Sequence, residues 1–271
     1  MSARQIDPSA RIADGAVIGS DCTIGPYCSI GANVALGDGC RLVGYVSITG
    51  HTTIGPRTVI QPFSSLGTPP QSVKYRGGPT RLVVGAECDI REHVTINTGT
   101  EDDGGITQVG DRCMLMVGSH VGHDSKVGNS VIFANNTLLG GHVSVGDGVV
   151  FGGGAAVRQF VRIGAGAMIV GLSGVRADVI PWGTVQGPLA HLVGLNVIGM
   201  RRKGIAKTQI LSLRRAYKAL FFGSGEFRAR LERLESESND DPQVSAMIAF
   251  IRASKRPVTM AIKRRGGDED T

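Results

Sequence analysis

Three histidines and one aspartate near the middle of the chain have the residue types and the spacing that proton-transfer chemistry needs: His120, His123, Asp124 and His142. An imidazole titrates near neutral pH, so it can accept a proton from an attacking hydroxyl group and later return it. Asp124 directly follows His123 and is placed to orient or polarise that imidazole. The pattern indicates a general base with substrate-binding neighbours.

Two other interpretations of the same histidines stay open at this point. The three imidazoles could form the zinc site of a hydratase, in which three protein ligands, contributed across a subunit boundary, leave one position for water. They could also be ordinary surface histidines without a chemical role. The elements that carry the rings must decide between these interpretations.

Those elements follow a repeat of six residues. Large apolar residues, here called anchors, recur at this step in two runs that are separated by an interruption after Ile96. The period fits neither an amphipathic helix, with 3.6 residues per turn, nor a half-buried strand, which alternates every second residue. It predicts short strands joined by turns, wound into a three-sided parallel β-helix of about ten coils stacked roughly 4.8 Å apart. The anchors are Ile12, Ile18, Ile24, Ile30, Leu36, Leu42, Ile48, Ile54, Ile60, Leu66, Val84, Ile90 and Ile96, and then Val109, Leu115, Val121, Val127, Phe133, Leu139, Val145, Phe151, Val157, Ile163, Ile169 and Val175.

Two further positions of the hexad are restricted in residue type. Glycine often follows the anchor, as at Gly19 and Gly25, and it suits a corner that demands positive φ or a crowded backbone. A small residue often lies four positions after the anchor, and all the cysteines fall there: Cys22, Cys28, Cys40, Cys88 and Cys113. Because Ala, Val and Thr share this position, we interpret the cysteines as small buried residues and not as a disulfide or metal framework. Unpaired cysteines of this kind indicate a reducing cytoplasm.

The repeat is interrupted twice, and both interruptions are predicted to be loops that leave the coil, near residues 67–83 and 97–108. The first is rich in Pro, Gly and charge yet keeps the phase of the hexads, whereas the second shifts the phase by one residue. In the run that follows, no histidine occupies an anchor or a small position, so the imidazoles should point outward. His123 and His142 are 19 residues apart, one coil plus one residue, and should lie nearly above one another.

The composition changes after the repeat ends. An amphipathic helix is predicted over 207–222 and further helices over 226–237 and 243–254, with Asp240, Asp241 and Pro242 as a helix start. Residues 263–271 are charged and Gly-rich and are predicted to be disordered. Residues 201–271 hold 16 of the 29 Lys+Arg and 9 of the 23 Asp+Glu, so this part is basic. It could meet an acidic protein, a phosphate ligand or nucleic acid, or be a plain solvated surface.

No signal peptide is expected, since the N-terminal residues contain no apolar run. No stretch of 18 apolar residues exists either, so stable membrane insertion is not expected.

Several motifs together resemble the UDP-N-acetylglucosamine O-acyltransferase family of hexapeptide-repeat acyltransferases, over nearly the whole chain. They are the loop from Leu66 to Tyr75 with Gly78-Pro79-Thr80, then Ile90-Arg91-Glu92, His120-Val121-Gly122-His123-Asp124, Gly140-Gly141-His142-Val143, Gln159-Phe160, Asn196 and Arg201-Arg202. The resemblance implies a left-handed parallel β-helix over residues 1–190 and a C-terminal helical domain over 191–271. It also implies a cytoplasmic homotrimer with its sites in the clefts between subunits.

The resemblance further implies a reaction. A 3-hydroxyacyl chain would move from acyl carrier protein to the 3-hydroxyl of UDP-N-acetylglucosamine, the first step of lipid A biosynthesis. His123 would be the general base, Asp124 would orient it, and the backbone N–H of Gly141 would stabilise the oxyanion. Glycine at Gly171, a position that limits chain length, would leave the groove open for a longer acyl chain. The substrate-binding residues would be Ser72, Lys74, His120, His142, Arg158, Gln159, Asn196, Arg201 and Arg202.

The same resemblance implies neither a cofactor nor a metal, and it makes the acidic carrier protein, not nucleic acid, the partner of the basic C-terminal part. Four residues depart from the family's common pattern: Ser72, Thr98, Arg158 and Ile198. Because these departures concern sugar recognition, a 3-amino analogue of the sugar stays open as the acceptor.

Overall fold

The computed structural model describes residues 5–237 and 241–262, and most of them wind into one coil with three parallel sheets as its sides. Each strand pairs with the strand one coil further on, in register. Ile24 lies beside Leu42, and Leu115 beside Phe133. The predicted parallel β-helix is confirmed, because the step of 18 residues per coil follows from three hexads per turn.

Sheet A is the first side of the coil and the longest. Its final strand pairs antiparallel with the strand before it and ends five residues beyond the predicted domain boundary at 190. The division of the chain into two domains stays a prediction. In spatial order its strands are Gln5–Ile6, Thr23–Ile24, Arg41–Leu42, Val59–Ile60, Asp89–Ile90, Met114–Leu115, Ile132–Phe133, Val150–Phe151, Met168–Ile169, Gly183–Gln186 and His191–Leu195.

Sheets B and C form the other two sides, and the chain runs through them in the order A, B, C before each new coil. The strands of sheet B are Arg11–Ile12, Ser29–Ile30, Ser47–Ile48, Ser65–Thr68, Thr95–Asn97, His120–Val121, Leu138–Leu139, Ala156–Val157 and Gly174–Val175. The strands of sheet C are Val17–Ile18, Val34–Leu36, His51–Ile54, Arg81–Val84, Ile106–Val109, Lys126–Val127, Ser144–Val145 and Arg162–Ile163.

The core fills the axis of the coil with the predicted anchors. All of them from Ile18 to Val175 are buried, and Phe133 stacks on Phe151 with ring centroids 5.0 Å apart. All five cysteines are buried with free thiols, as predicted for small core residues. Burial raises the pKa of the Cys40 thiol to about 11.

At the corners of the coil, a crowded backbone and not positive φ explains most of the glycines that follow anchors. Positive φ occurs at the third residue after the anchor, and this residue is often not glycine, as in Tyr27, Arg57 and Asp124 with φ of 55°, 57° and 59°. Apart from Gly67, the glycines that directly follow anchors, such as Gly19 and Gly25, do not have positive φ. They are needed because a Cβ at Gly25 would lie 2.1 Å from the carbonyl oxygen of Val43 in the next coil.

Both interruptions leave the coil at the edge where sheet B passes into sheet C, here called the B–C edge. The first loop covers residues 69–80, and the second covers 98–105 with a 3₁₀ turn at Glu101–Asp103. Each loop is shorter than predicted, because its ends keep ladder hydrogen bonds with the neighbouring coil: Thr68 pairs with Asn97, and Arg81 with Ile106.

Four helices follow the coil: α1 (Val197–Arg202), α2 (Lys207–Phe222), α3 (Phe227–Glu237) and α4 (Pro242–Arg252). The last three were predicted, and the carboxylate of Asp241 caps α4 by accepting from the N–H groups of Gln243 and Val244. The short α1 was missed, since six residues carry too little periodicity. The predicted disorder of 263–271 lies outside the described residues. Within 5–237 and 241–262, no helix has the length and apolarity to cross a bilayer.

We predict that Gly25→Ala destabilises the coil much more than Gly148→Ala. At Gly148 a Cβ has open space and meets only the cost of φ = +65°, on the order of 1 kcal/mol. At Gly25 the Cβ would overlap a backbone carbonyl, so we expect a loss on the order of 3 kcal/mol. Denaturant unfolding measures both losses, and equal losses would contradict the close-approach explanation.

Candidate active site

The B–C edge brings the predicted histidine cluster together. His123 and Asp124 follow the strand His120–Val121, and His142 follows the next strand of the same sheet, Leu138–Leu139. Asp124 and His142 both occupy the third position after an anchor, with φ of 59° and 60°. The backbone N–H of His142 donates to the carbonyl of His123 (2.8 Å), so the inter-coil ladder sets the spacing of the two rings. Their centroids lie 5.0 Å apart at 88°, which confirms the predicted stacking of adjacent coils.

A buried carboxylate holds His123. Nδ1 of His123 lies 2.8 Å from Oδ2 of Asp124, whose side chain is 1% exposed. Thr100 donates its backbone N–H to Oδ1 (2.8 Å) and its hydroxyl to Oδ2 (2.7 Å). Because a carboxylate oxygen accepts, Nδ1 carries the proton of the neutral ring and Nε2 keeps its lone pair. His123 therefore has the tautomer of a general base that acts through Nε2.

The backbone of Gly141 lies directly beside this nitrogen. A Cβ at Gly141 would stand 2.6 Å from Nε2 and 2.5 Å from Cε1 of His123. Only glycine leaves room for the ring in this position. The Gly141 N–H has no hydrogen-bond acceptor within residues 5–237 and 241–262, so a free donor lies beside the His123 ring.

His142 closes the other side of the cluster. Its ring lies parallel to Phe160, 4.3 Å away between centroids, and the Arg256 guanidinium lies 5.2 Å from the centroid of that phenyl ring. Nε2 of His142 is 3.7 Å from Oδ2 of Asp124. This stack of rings limits how far His142 can turn toward solvent.

His120 lies on the outer face of sheet B, and its Nδ1 is 2.8 Å from the Thr95 hydroxyl. Burial, with a smaller contribution from His123, lowers the pKa of His120 below its usual value of 6.5. The ring is therefore neutral at physiological pH and available for hydrogen bonding.

A cleft of about 700 Å³ joins His120, His123 and Gly141 across the outer face of sheet B, and His142 is not part of its lining. Its lining includes Gln71, Thr95, Asn97, His120, His123, Leu138, Gly141, Ala156, Arg158 and Gln159. Arg158 and Gln159, predicted substrate-binding residues, thus share the cleft with His123. Ser72 and Lys74 lie on the first loop at the same edge, but neither of them lines the cleft of a single chain; Gln71 does.

The remaining predicted residues lie on other edges of the three-sided coil. Asn196 donates its amide to the carbonyl of Gly166 (2.9 Å) and caps α1, which carries Arg201 and Arg202. This is the edge between sheets C and A. Gly171 follows a strand of sheet A and lies at the edge between A and B.

The zinc interpretation requires three imidazoles, whereas the side chains that approach each other are two imidazoles and one carboxylate. Ligand atoms of His123, Asp124 and His142 lie within 4.8 Å of one another, without His120. In this set Nδ1 of His123 and Oδ2 of Asp124 are hydrogen-bonded to each other, and Oδ2 also accepts from Thr100. The geometry favours an oriented base.

Sequence analysis missed the residues that support the cluster. Besides Thr95 and Thr100, Thr107 accepts a hydrogen bond from the backbone N–H of Asp124 (2.8 Å). Asn97 is 3% exposed, and its Oδ1 has no partner within the described residues although the side chain lines the cleft. The one-residue phase shift at 97–108 marked this segment as unusual, but it did not indicate what the threonines contact.

Comparisons with known proteins place this coil in a class. Residues 15–50 match the family model described as bacterial transferase hexapeptide (six repeats). Residues 178–259 match the model described as UDP-N-acetylglucosamine O-acyltransferase, domain 2. The chain is a hexapeptide-repeat transferase with a left-handed parallel β-helix and C-terminal helices, which confirms the predicted fold class.

Relatives narrow the class to one family. An acyl-[acyl-carrier-protein]–UDP-N-acetylglucosamine O-acyltransferase of Azorhizobium caulinodans is 54% identical over 253 residues, 93% of each chain. Its counterpart in Sinorhizobium fredii is 44% identical over 98% of each chain. The solved UDP-N-acetylglucosamine acyltransferase of Campylobacter jejuni superposes with a TM-score of 0.89 at 34% identity, covering 96% of this chain and 100% of its own. This chain belongs to the UDP-N-acetylglucosamine O-acyltransferase family, as the sequence motifs indicated.

We predict that His120 titrates below pH 6.5, because burial disfavours its charged form. The unfolded chain would then bind this proton more readily than the folded protein, so His120 should reduce stability as the pH falls below 6.5. NMR titration of the histidine ring protons, with His120→Gln for assignment, measures the midpoint. A midpoint at or above the usual value would contradict the effect of burial.

Proposed function

We propose that this protein transfers a 3-hydroxyacyl group from acyl carrier protein to the 3-hydroxyl of UDP-N-acetylglucosamine, the first step of lipid A biosynthesis. The observation that carries the proposal is the arrangement around His123. Asp124 holds Nδ1, and Nε2 stands next to the unbonded N–H of Gly141. The names of the relatives, which state this acyl donor and this acceptor, support it.

Acyl transfer from a thioester needs both of the groups that meet here. Nε2 of His123 takes the proton of the sugar hydroxyl as its oxygen attacks the thioester carbonyl. The N–H of Gly141 donates to the oxygen that becomes negative in the tetrahedral intermediate. When the intermediate collapses, the C–S bond breaks and the imidazolium returns the proton to the leaving thiolate. The Asp124 carboxylate stabilises the imidazolium in between.

The acyl chain would lie along the outer face of sheet B. Beyond His120, the outward residues of successive strands are Leu138, Ala156 and Gly174, which are apolar and decrease in size. Gly171 lies at the edge of the same face and has no side chain that could block the groove there. This open path supports a longer 3-hydroxyacyl chain.

The sugar would contact His120, His142 and the loop with Ser72 and Lys74, and the nucleotide end would contact Arg158 and Gln159. Asn196, Arg201 and Arg202 would bind the diphosphate and uridine, for which a planar guanidinium is suited. In one chain this second group lies on a different edge from His123. A neighbouring subunit can bring the two edges together, and we therefore propose a homotrimer with three equal clefts.

The compartment and the partner follow from the same proposal. A carrier protein as donor places the reaction in the cytoplasm. The basic helix α2, with the exposed side chains of Arg214, Arg215 and Lys218, would receive the acidic carrier by charge complementarity.

The first test is incubation with UDP-N-acetylglucosamine and a panel of 3-hydroxyacyl carrier proteins, with products measured by mass. We expect an O-acylated nucleotide sugar, with kcat lowered about 100-fold or more in His123→Ala, the usual contribution of a positioned base. His51→Ala, an exposed histidine on a distant strand of sheet C, is the control and should match the wild type. Full activity of His123→Ala would contradict the assigned base, and acylation only of a 3-amino sugar would replace the acceptor.

A second test addresses the shared cleft. We expect His123→Ala and Arg202→Ala subunits to be nearly inactive alone at low substrate concentration. Co-expressed, they should recover about one quarter of the wild-type activity, because random cyclic trimers pair an intact base with an intact arginine at one site in four. Each variant expressed alone is the control. No recovery in the mixed protein would show that a single chain supplies both groups.

A further inference from the structure

The two loops at the B–C edge are joined side by side. The Thr80 hydroxyl donates to the Thr98 hydroxyl (2.8 Å), and both residues are buried. Oε1 of Glu101, on the second loop, accepts from the backbone N–H groups of Gly78 (2.7 Å) and Arg76 (3.1 Å) on the first. Glu101 therefore fastens the segment that follows Lys74.

The contact at Gly78 is close, and a side chain there would displace that of Glu101. A Cβ there would lie 2.5 Å from Cγ of Glu101. Backbone N–H groups, first that of Glu101 itself and then that of Gly78, lower the pKa of the Glu101 carboxyl, so this group is ionised at neutral pH. A charged acceptor makes these bonds stronger than neutral ones.

The preceding residue, Thr100, faces the opposite way. It provides two of the hydrogen bonds that the Asp124 carboxylate accepts, and its hydroxyl shares Oδ2 with Nδ1 of His123. Counted over backbone and side chain together, Thr100 and Asp124 are each 5% exposed, so water does not readily replace these bonds. The orientation of the carboxylate, and with it that of the imidazole, depends on Thr100.

We propose that Thr100 and Glu101 are a pair of positioning residues, of which Thr100 orients the base through Asp124 and Glu101 fixes the Lys74 loop relative to it. The inference rests on the proposed function, in which Lys74 contacts the substrate. One peptide bond joins the two residues. The loop that binds the sugar and the base that deprotonates it are therefore held in place by the same short segment. Neither residue lines the cleft beside His123.

The pair predicts a separation of kinetic effects. Thr100→Val removes the hydroxyl but keeps the shape, and it should lower kcat about tenfold, the scale of one hydrogen bond to a charged group, with little change in KM. Glu101→Ala frees two N–H groups of the Lys74 loop and should raise KM for the nucleotide sugar about fivefold, with little change in kcat. Thr100→Ser and Glu101→Gln keep the donor and the acceptor oxygen, and each should recover most of the loss.

Asp102→Ala is the matched control. Asp102 lies on the same turn and contacts the same Arg76, but through an exposed ion pair of 3.3 Å. Exposed pairs contribute little, so this variant should match the wild type. The proposal is overturned if Thr100→Val and Glu101→Ala lower kcat and raise KM in the same proportion, if the conservative variants do not recover, or if Asp102→Ala resembles Glu101→Ala.

A measurement without substrate separates this inference from the proposed function. The ¹⁵N shifts of the His123 ring nitrogens report which nitrogen carries the proton. We expect Thr100→Val to reduce the Nδ1–H signature that Asp124 enforces, and Glu101→Ala to leave it unchanged. Should the wild type transfer no acyl group, these spectra still test Thr100, and unchanged spectra in Thr100→Val would reject its role.

Discussion

The structure depends on the ladder of hydrogen bonds that joins each coil to the next, at a step of 18 residues wherever no loop is inserted. This ladder requires the backbones to approach closely, which is why glycine follows so many anchors, as the contact between Gly25 and Val43 demonstrates. The same ladder passes through the active site, where the N–H of His142 donates to the carbonyl of His123. The spacing of the two imidazoles is thus a property of the coil and not of flexible side chains.

The proposed functional groups lie on different edges of the three-sided coil. The B–C edge carries His123, Asp124 and both loops, whereas Asn196 and the arginines of α1 lie at the edge between C and A. A three-sided coil has convex edges, and a convex edge by itself encloses little volume. The cleft beside His123 is therefore open on the side that a second subunit would cover, and this geometry motivates the proposed trimer.

Around Asp124 the regular repeat is interrupted by a loop that supplies hydrogen-bond donors to the carboxylate. The loop at 98–105 brings Thr100 against the carboxylate, and Thr107, on the strand that resumes the coil, accepts from its backbone N–H. A buried carboxylate without such donors would be costly, because its charge would be removed from water without compensation. The loop compensates for the burial and simultaneously restricts the imidazole to one tautomer.

The sequence by itself determined the coil, because a period of six has one simple packing solution and each anchor has one direction to face. It also determined that His123 and His142 lie on adjacent coils, since a displacement of 19 residues along an 18-residue coil leaves little freedom. Only the tertiary structure decided what surrounds them. Thr95, Thr100 and Asn97 are ordinary loop and strand residues in the sequence, and their partners come from segments 24 to 29 residues away. A local pattern predicts the direction in which a side chain points. A hydrogen bond to an irregular loop depends on the path of that loop, which the six-residue period does not predict.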